Sequence, residues 1–248
     1  MEPSERYEYK FVLSPEQRAA LLEILSRELL ADTHGGSAGW YPIVSLYYDT
    51  PDLKCYWENW RDLPSRRKLR VRVYGSSDGA IAPTSFIEIK HKDFSRGTKR
   101  RIQTALPHAL AIARGETVDA NFNHAEQTAV QEVHRLVQEE HFRPTLLIRY
   151  QRYAYFLHTP NVAPADRLRV TFDQNIATRA HDLIPQPDDQ NFSDYILPKG
   201  HCVMELKGRQ AVPFNFVHAL TKLQLKPRQF SKYSEGIRLE KLHLQPQS

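Results

Sequence analysis

The feature of this sequence that most limits its fold is a set of short segments in which charged and apolar residues alternate. Residues 68–73, with the sequence Lys-Leu-Arg-Val-Arg-Val, show this pattern clearly. A period of two places the charged side chains on one face of a β-strand and the apolar ones on the other. The same alternation occurs in residues 6–11, 86–92, 167–170 and 204–207. The pattern therefore predicts an antiparallel sheet with one apolar face and one charged face.

Between these segments the sequence carries helix signals. Ser14 and Asn123 each precede an amphipathic run and have a Gln or Glu three residues later, which is typical of helix N-terminal caps. A third amphipathic run covers residues 216–223, a shorter helix is expected after Pro107, and another is expected near Ser234. Three segments rich in Gly, Ser, Pro, Asp or Asn are predicted to be loops: residues 33–39, 76–84 and 185–198.

The polar faces of the predicted strands carry ten basic and three acidic residues, with almost no Thr, Ser or Gln. These residues are Arg6, Lys10, Lys68, Arg70, Arg72, Lys90, Lys92, Arg167, Arg169 and Lys207, together with Glu8, Glu88 and Glu205. One interpretation is the solvated face of an ordinary sheet, on which Lys and Glu form weak cross-strand pairs. The other is an α+β fold in which the strands form a closed antiparallel β-barrel with helices packed on the outside. The charges would then line a water-filled tunnel that needs an anionic ligand.

The residue types indicate which anion such a tunnel would bind. Arg offers planar paired donors to phosphoryl oxygens, Lys offers a compact positive charge, and isolated Glu residues suit a divalent metal ion. Phosphate chains with Mg²⁺ or Mn²⁺ therefore fit best. Phosphoryl transfer depends on positioning and charge stabilisation, so it requires no nucleophile from the protein. The sequence has no Walker loop, no dinucleotide-binding Gly motif and no His or Cys spacing typical of zinc.

The composition sets further limits. The chain of 248 residues has two cysteines, a net charge of +5 and no tract rich in Pro or Gly, which predicts a single domain over residues 1–248 without a disulfide framework. No run reaches the roughly 18 apolar residues of a membrane-spanning helix, and the charged N-terminus does not resemble a signal peptide. We therefore expect a cytoplasmic protein. The net charge is too small to indicate nucleic-acid binding, and the oligomeric state stays open.

In their order along the chain, these segments resemble the polyphosphate polymerase domain of the vacuolar transporter chaperone (VTC) family, which belongs to the triphosphate tunnel metalloenzymes. The pieces that carry the resemblance are Arg-x-Glu-x-Lys at 6–10, Lys-Leu-Arg-Val-Arg-Val-Tyr-Gly at 68–75, Phe-Ile-Glu-Ile-Lys at 86–90, Tyr-Gln-Arg-Tyr-Ala-Tyr at 150–155, Arg-Leu-Arg-Val-Thr-Phe-Asp at 167–173, Met-Glu-Leu-Lys at 204–207 and Phe-Ser-Lys-Tyr at 230–233. The resemblance implies a tunnel barrel that extends a polyphosphate chain with the γ-phosphate of ATP and releases ADP.

The resemblance also implies roles for individual residues. Catalytic phosphate contacts would come from Lys10, Arg70, Arg72, Lys90, Arg152, Arg169 and Lys232. Further substrate contacts would come from Lys92, Lys207 and Ser231. Glu205 would hold the divalent metal, Mn²⁺ or Mg²⁺. Glu8 and Glu88 would be either additional metal ligands or carboxylates that orient neighbouring Lys and Arg side chains.

The sequence departs from the family pattern at two positions. Arg6 stands where many hydrolytic tunnel enzymes have a first Glu, and this loss of a metal-binding carboxylate counts against efficient triphosphate hydrolysis. Gln229 stands where the family has a basic residue two places before the Ser. The basic residues 99–101 either guide the product or form a solvated turn.

Three functions therefore remain open from the sequence. The leading one is the polymerase, with ATP and inorganic polyphosphate as ligands. The alternatives are a hydrolase of triphosphate or nucleoside triphosphates in the same tunnel, and a non-catalytic polyphosphate-binding module. We expect the chain to lack the phosphate-sensing helical domain and the membrane segments of the family's eukaryotic members. Product translocation is then not expected to be its own work, and a separate membrane partner stays open.

Overall fold

The structure, a computed structural model, describes residues 7–75, 81–94, 96–158, 162–163, 166–186 and 189–242. Its strands are β1 (Tyr7–Leu13), β2 (Leu29–Ala31), β3 (Trp40–Asp49), β4 (Ser65–Gly75), β5 (Ile81–Asp93), β6 (Arg96–Ala105), β7 (Arg143–Leu157), β8 (Arg169–Arg179), β9 (Asp194–Tyr195) and β10 (Cys202–Gly208). Its α-helices are α1 (Pro15–Ile24), α2 (Lys54–Trp60), α3 (Leu106–Ile112), α4 (His124–Gln138), α5 (Phe214–Lys222) and α6 (Lys232–Leu239). A 3₁₀-helix covers Thr33–Ala38.

The strands follow one hydrogen-bonded order, β1-β10-β8-β7-β3-β4-β5-β6, with β2 beside β7 and β9 beside β8. Every pairing whose register is described is antiparallel. The predicted antiparallel sheet with helices is therefore confirmed. A closed barrel would need a hydrogen-bonded ladder between the end strands β1 and β6, and the described residues contain none. The closed barrel is thus not confirmed.

The chain divides into two compact units. The first unit takes its residues from 1–42, 150–176 and 197–230, and the second from 43–149, 177–196 and 231–248. Each unit is built from segments that are distant in the sequence. The prediction of a single domain over residues 1–248 stays a prediction.

In the first unit, α1 and α5 cover the apolar face of β1, β8 and β10. Phe11, Phe172 and Met204 of the strands share one buried cluster with Leu21 of α1 and Phe216 of α5. Complete burial of an apolar side chain of this size contributes roughly 1.5–3 kcal/mol. Because side chains alternate along a strand, this packing turns the charged residues of the three strands to the opposite face.

In the second unit, α3 and α4 pack against β5 and β6, which pair with β4. Val71, Ile87 and Ile102 form a continuous apolar row across β4, β5 and β6, and each is at most 1% exposed. Ile112 of α3 and Val133 of α4 are also fully buried. On β4 and β5 the charged residues again alternate with apolar ones, as the sequence pattern predicts.

Both predicted capping boxes are present. The Ser14 hydroxyl accepts a hydrogen bond from the Gln17 backbone N–H, and the Gln17 side chain accepts one from the Ser14 backbone N–H. Asn123 and Glu126 make the same reciprocal pair at the start of α4. Each box satisfies N–H groups that a helix N-terminus otherwise leaves without partners. The starts of α1 and α4 are therefore confirmed.

All three predicted loops differ in the structure. In the loop predicted at 185–198, Asp194 and Tyr195 form β9, which pairs with β8. Of the loop predicted at 76–84, residues 76–80 lie outside the described residues. The loop prediction is wrong for residues 81–84, which belong to β5 because Ile81 pairs with β4 and Thr84 pairs with β6. Residues 33–38 of the loop predicted at 33–39 form the 3₁₀-helix, and the Asp32 carboxylate accepts a hydrogen bond from the His34 backbone N–H at its start. None of the described helices has the length and apolar character needed to span a membrane.

Helix α2 was not predicted from the sequence. Its first turn is held by Asp49, the last residue of β3, whose carboxylate accepts hydrogen bonds from the backbone N–H groups of Cys55 and Tyr56. A carboxylate at a helix N-terminus satisfies those amides and complements the helix dipole. The helix therefore depends on a capping carboxylate contributed by the preceding strand.

Candidate functional site

The first unit places the Glu-x-Lys motifs of β1 and β10 side by side. The antiparallel register pairs Glu8 with Lys207 and Lys10 with Glu205, so each Glu of one strand faces a Lys of the other. Lys207 Nζ lies 2.7 Å from Glu205 Oε2 and 3.5 Å from Glu8 Oε2. Lys10 Nζ lies 3.2 Å from Glu8 Oε1. These four residues, all predicted from the sequence, form one network of alternating charge, here called the β1–β10 network.

Arg152 of β7 is held by Asp173, a carboxylate that was not predicted as a site residue. Its Nε and Nη2 donate to the two carboxylate oxygens of Asp173 on β8, both at 2.7 Å, and its Nη2 lies 3.9 Å from Glu205 Oε2. Burial disfavours the charged guanidinium, but Asp173 outweighs burial and raises the pKa of Arg152 well above its ordinary value. Alternation along β8 places Asp173 on the same face as Arg169, and this pattern in the sequence could have identified Asp173 as a site residue.

Arg169 is positioned by residues near the end of β2 and the start of β3. Its Nη2 donates to Asp32 Oδ2 at 3.1 Å and to the Tyr41 hydroxyl at 3.2 Å. Asp32 also contacts the exposed His34, whose Nδ1 lies 2.7 Å from Oδ1. Burial opposes ionisation of Asp32, but the hydrogen bonds from His34 outweigh it and lower the pKa of the carboxyl. Arg167, predicted for the same strand, precedes β8.

The second unit gathers four cations around one buried carboxylate. Glu88 of β5 is 2% exposed, and its oxygens lie 2.6 Å from Arg70 Nη2 and 3.9 Å from Arg72 Nη1. They also lie 2.5 Å from Lys99 Nζ and 3.4 Å from Arg101 Nε. Burial disfavours the charged carboxylate, but Arg70, Arg72 and Lys99 outweigh burial and hold the pKa of Glu88 well below its ordinary value. We call these five residues the Glu88 cluster.

Two hydroxyl groups on β3 fix the arginines of this cluster. Tyr47 and Ser45 are the cross-strand neighbours of Arg70 and Arg72. The Tyr47 hydroxyl accepts a hydrogen bond from Arg70 Nη1 at 2.9 Å, and Ser45 Oγ accepts one from Arg72 Nε at 3.1 Å. Burial tends to raise the pKa of Tyr47, but Arg70 and Arg72 lower it overall. Both guanidinium groups are thus oriented by contacts within the protein.

Ser231 and Lys232 lie at the start of α6, as the sequence predicts. Ser231 is the N-cap, and its Oγ accepts a hydrogen bond from the Ser234 backbone N–H at 3.2 Å. Lys68 Nζ donates to the same oxygen at 2.8 Å. Lys68 of β4 therefore contacts the N-cap residue of α6.

A buried tyrosine anchors this end of α6. The Tyr233 hydroxyl donates to Asp49 Oδ2 at 2.5 Å, and its ring stacks on Tyr47 with ring centroids 5.2 Å apart. Asp49 is fully buried, and burial raises the pKa of its carboxyl although the Tyr233 hydroxyl and backbone N–H groups oppose the rise. Tyr233 therefore connects the segment of Ser231 and Lys232 with the tyrosine that holds Arg70.

Lys90 and Lys92 lie on the exposed part of β5. In the register of the sheet, Lys90 is the neighbour of Lys68 on β4 and of Lys99 on β6, while Lys92 is the neighbour of Arg66. Both residues therefore add positive charge to the strands that carry the Glu88 cluster.

The solvated turn considered for residues 99–101 is not found. They belong to β6 instead of a turn, so Lys99 and Arg101 point to one face and contact Glu88, whereas Arg100 contacts Glu132 of α4. The alternation of Lys99 and Arg101 with Arg100 and Ile102 was the available signal, but two adjacent arginines obscured it. Arg6 lies outside the described residues.

The carboxylates differ in their suitability for a divalent metal. The described part of the chain contains no group of three or more His, Cys, Asp or Glu side chains that could hold a metal ion. Glu8 and Glu205 both contact Lys207 Nζ and so converge on one position. Mg²⁺ is often held by one or two carboxylates together with phosphate and water oxygens, and this pair fits that pattern. Glu88 is surrounded by cations, which favours the role of orienting them.

The family resemblance is confirmed by a comparison with protein-family models. A family model described as the VTC domain matches residues 5–241, a range that includes every predicted site residue. Among solved structures, the chain is similar to a "putative adenylate cyclase" from Bacillus halodurans, with 10% sequence identity and a TM-score of 0.49. That similarity covers 93% of this chain and 96% of the other. No curated protein matches the chain.

Proposed function

Because the chain belongs to the VTC domain family, we propose that it is a metal-dependent polyphosphate polymerase. In the proposed reaction, the bond between the γ-phosphorus of ATP and the oxygen that bridges to the β-phosphate breaks, and ADP leaves. A new bond forms between this phosphorus and a terminal oxygen of the polyphosphate chain. Since the attacking oxygen belongs to the chain, no nucleophile from the protein is needed.

The observation that carries the proposal is the Glu88 cluster. Four cationic side chains face one carboxylate within 3.9 Å, and mutual repulsion of the cations is only partly offset by Glu88. A bound polyanion reduces that repulsion. Arg70 and Arg72 present planar donors, which match phosphoryl oxygens better than a point charge does. A phosphate chain is therefore the anion that we assign to this cluster.

The way these side chains are held suits phosphoryl transfer. During transfer, negative charge is spread over the oxygens of the moving phosphoryl group, so donors that are already oriented stabilise the transition state without reorganisation. Arg70 is held by Tyr47 and Glu88, and Arg72 is held by Ser45. A divalent metal, when bound by Glu8 and Glu205, would neutralise charge on phosphate oxygens.

The test is to incubate the purified protein with ATP and Mn²⁺ or Mg²⁺ and to quantify ADP, free phosphate and polymer in the same sample. The proposal expects ADP to be matched by polymer. ADP matched by free phosphate would identify a triphosphate hydrolase instead. No ADP from folded protein that binds tripolyphosphate would identify a binding module.

A pair of variants connects the activity to the cluster. Arg70→Met removes the guanidinium that contacts both Tyr47 and Glu88, and we expect it to reduce polymer formation by at least about 100-fold. Arg114→Met is the matched control, because Arg114 forms an exposed ion pair with Glu116. Equal polymer formation by both variants would count against the assignment of the cluster.

A further inference from the structure

Thr171 carries a buried hydroxyl without a partner. The residue lies in β8 and is 3% exposed, and its Oγ1 has no hydrogen-bond partner among the described residues. Most buried polar groups in folded proteins are paired, because burying one without a partner is destabilising. A ligand oxygen next to this hydroxyl would supply the missing partner.

The position of Thr171 indicates what that ligand is. Alternation along β8 places Arg169, Thr171 and Asp173 on the charged face, while the residues between them are buried in the core of the first unit. In the register of the sheet, Thr171 is paired with Glu205 on β10, and Glu205 is paired with Lys10 on β1. The hydroxyl therefore lies in a row of proposed phosphate and metal contacts.

The neighbouring carboxylates are already engaged. Both oxygens of Asp173 accept hydrogen bonds from Arg152 at 2.7 Å, and Oε2 of Glu205 accepts one from Lys207 at 2.7 Å. The neighbours thus consist of cations and of carboxylates that those cations hold. An oxygen of a bound anion is the acceptor that this setting favours for the Thr171 hydrogen.

We propose that Thr171 is a substrate-contacting residue whose hydroxyl donates a hydrogen bond to a phosphoryl oxygen of the bound phosphate chain. This inference rests on the proposed function, because it takes a phosphate chain as the ligand. Arg152 and Arg169 supply positive charge, and Thr171 adds a neutral donor with a defined direction. The hydroxyl is unsatisfied in the free protein and satisfied in the complex.

The test compares stability with affinity. Thr171→Val keeps the branched shape and removes the hydroxyl, and Thr171→Ser keeps the hydroxyl. Tripolyphosphate binding is measured by titration calorimetry in EDTA, so that no metal contributes, and Tm is measured without ligand. We expect Thr171→Val to bind at least about 10-fold more weakly while its Tm rises by a few degrees. We expect Thr171→Ser to bind within about two-fold of the wild type.

Thr178 provides a matched control on the same strand. It is also buried, but its Oγ1 donates to Glu240 Oε1 at 2.7 Å. Thr178→Val therefore breaks an existing hydrogen bond, so its Tm should fall while its affinity for tripolyphosphate stays unchanged.

The outcomes separate this inference from the proposed function. A wild-type protein that does not bind tripolyphosphate overturns both. Binding by the wild type with equal affinity in Thr171→Val overturns the inference alone. A fall of both affinity and Tm in Thr171→Val, or equal weakening in Thr171→Ser, assigns Thr171 a packing role and also overturns the inference.

Discussion

Nζ of Lys207 lies 2.7 Å from Oε2 of Glu205, its neighbour two residues earlier on β10. The same ammonium group lies 3.5 Å from Glu8 Oε2. Lys207 therefore contacts both carboxylates that we propose as ligands of the divalent metal. A metal ion at this position and the ammonium group would compete for the same oxygens.

Replacing Lys207 with Met is expected to strengthen Mn²⁺ binding in the absence of phosphate by about 3-fold to 10-fold, because the competing cation is removed. Tripolyphosphate binding in EDTA should weaken, since a phosphate contact is lost. Titration calorimetry measures both affinities, and Lys222→Met on the exposed side of α5 is the control. Weaker Mn²⁺ binding in Lys207→Met would argue against Glu8 and Glu205 as the metal ligands.

Replacing Glu205 with Gln is expected to reduce turnover by at least about 100-fold while tripolyphosphate binding is retained. One carboxylate charge is lost, whereas the basic side chains of the first unit remain. Coupled measurement of ADP release and of tripolyphosphate affinity separates these effects. Glu116→Gln, which changes an exposed ion pair with Arg114, is the control. Unchanged turnover in Glu205→Gln would refute the metal assignment.

Glu88 is expected to stabilise the fold only while it is ionised. Its pKa lies below the ordinary value of 4.5, so its contribution is present above about pH 4.5 and is lost as the pH falls through the lowered pKa. Glu88→Gln should therefore lower the free energy of unfolding by about 3 kcal/mol at pH 7, and this difference from the wild type should shrink below pH 4.5. Denaturant unfolding at pH 7, 5, 4 and 3 measures it. An equal difference at every pH would falsify this role.

Replacing Tyr233 with Phe should lower the free energy of unfolding by about 1–3 kcal/mol, because the hydroxyl that donates to the buried Asp49 carboxylate is lost. Tripolyphosphate affinity should also fall, since Tyr233 follows Ser231 and Lys232 directly. Urea unfolding and titration calorimetry measure these effects, with Tyr195→Phe, at a tyrosine that is 53% exposed, as the control. If affinity is unchanged despite the loss of stability, Tyr233 does not position those two residues.

The local features of the fold were predictable. Alternation in residues 68–73 depends only on strand geometry, so the buried and charged faces of β4 follow from the sequence whatever its neighbours are. The capping box of Ser14 and Gln17 likewise lies within four residues. Prediction was poorer for residues 99–101, where adjacent arginines hide the period, and for α2, whose first turn is capped by Asp49.

The site was predicted by residue type and family resemblance, but the partners of its residues were not. Arg169 is held by Asp32, which is 137 positions away in the chain. Thr171 looks like an ordinary strand residue until its burial and its neighbours are known. Such contacts depend on which strands pair and in which register.

The sequence by itself determined which side chains share a strand face, where two helices begin and to which family the chain belongs. The first two properties depend on residues that are close together in the sequence, and the third depends on the order of the motifs along it. Only the tertiary structure decided that Glu8 faces Lys207, that four cations meet at Glu88 and that the sheet has no hydrogen-bonded closure among the described residues. The physical reason is that hydrogen bonds and packing between distant segments set the strand pairing and its register. The alternation of residues within one strand does not specify which strand it pairs with or in which register.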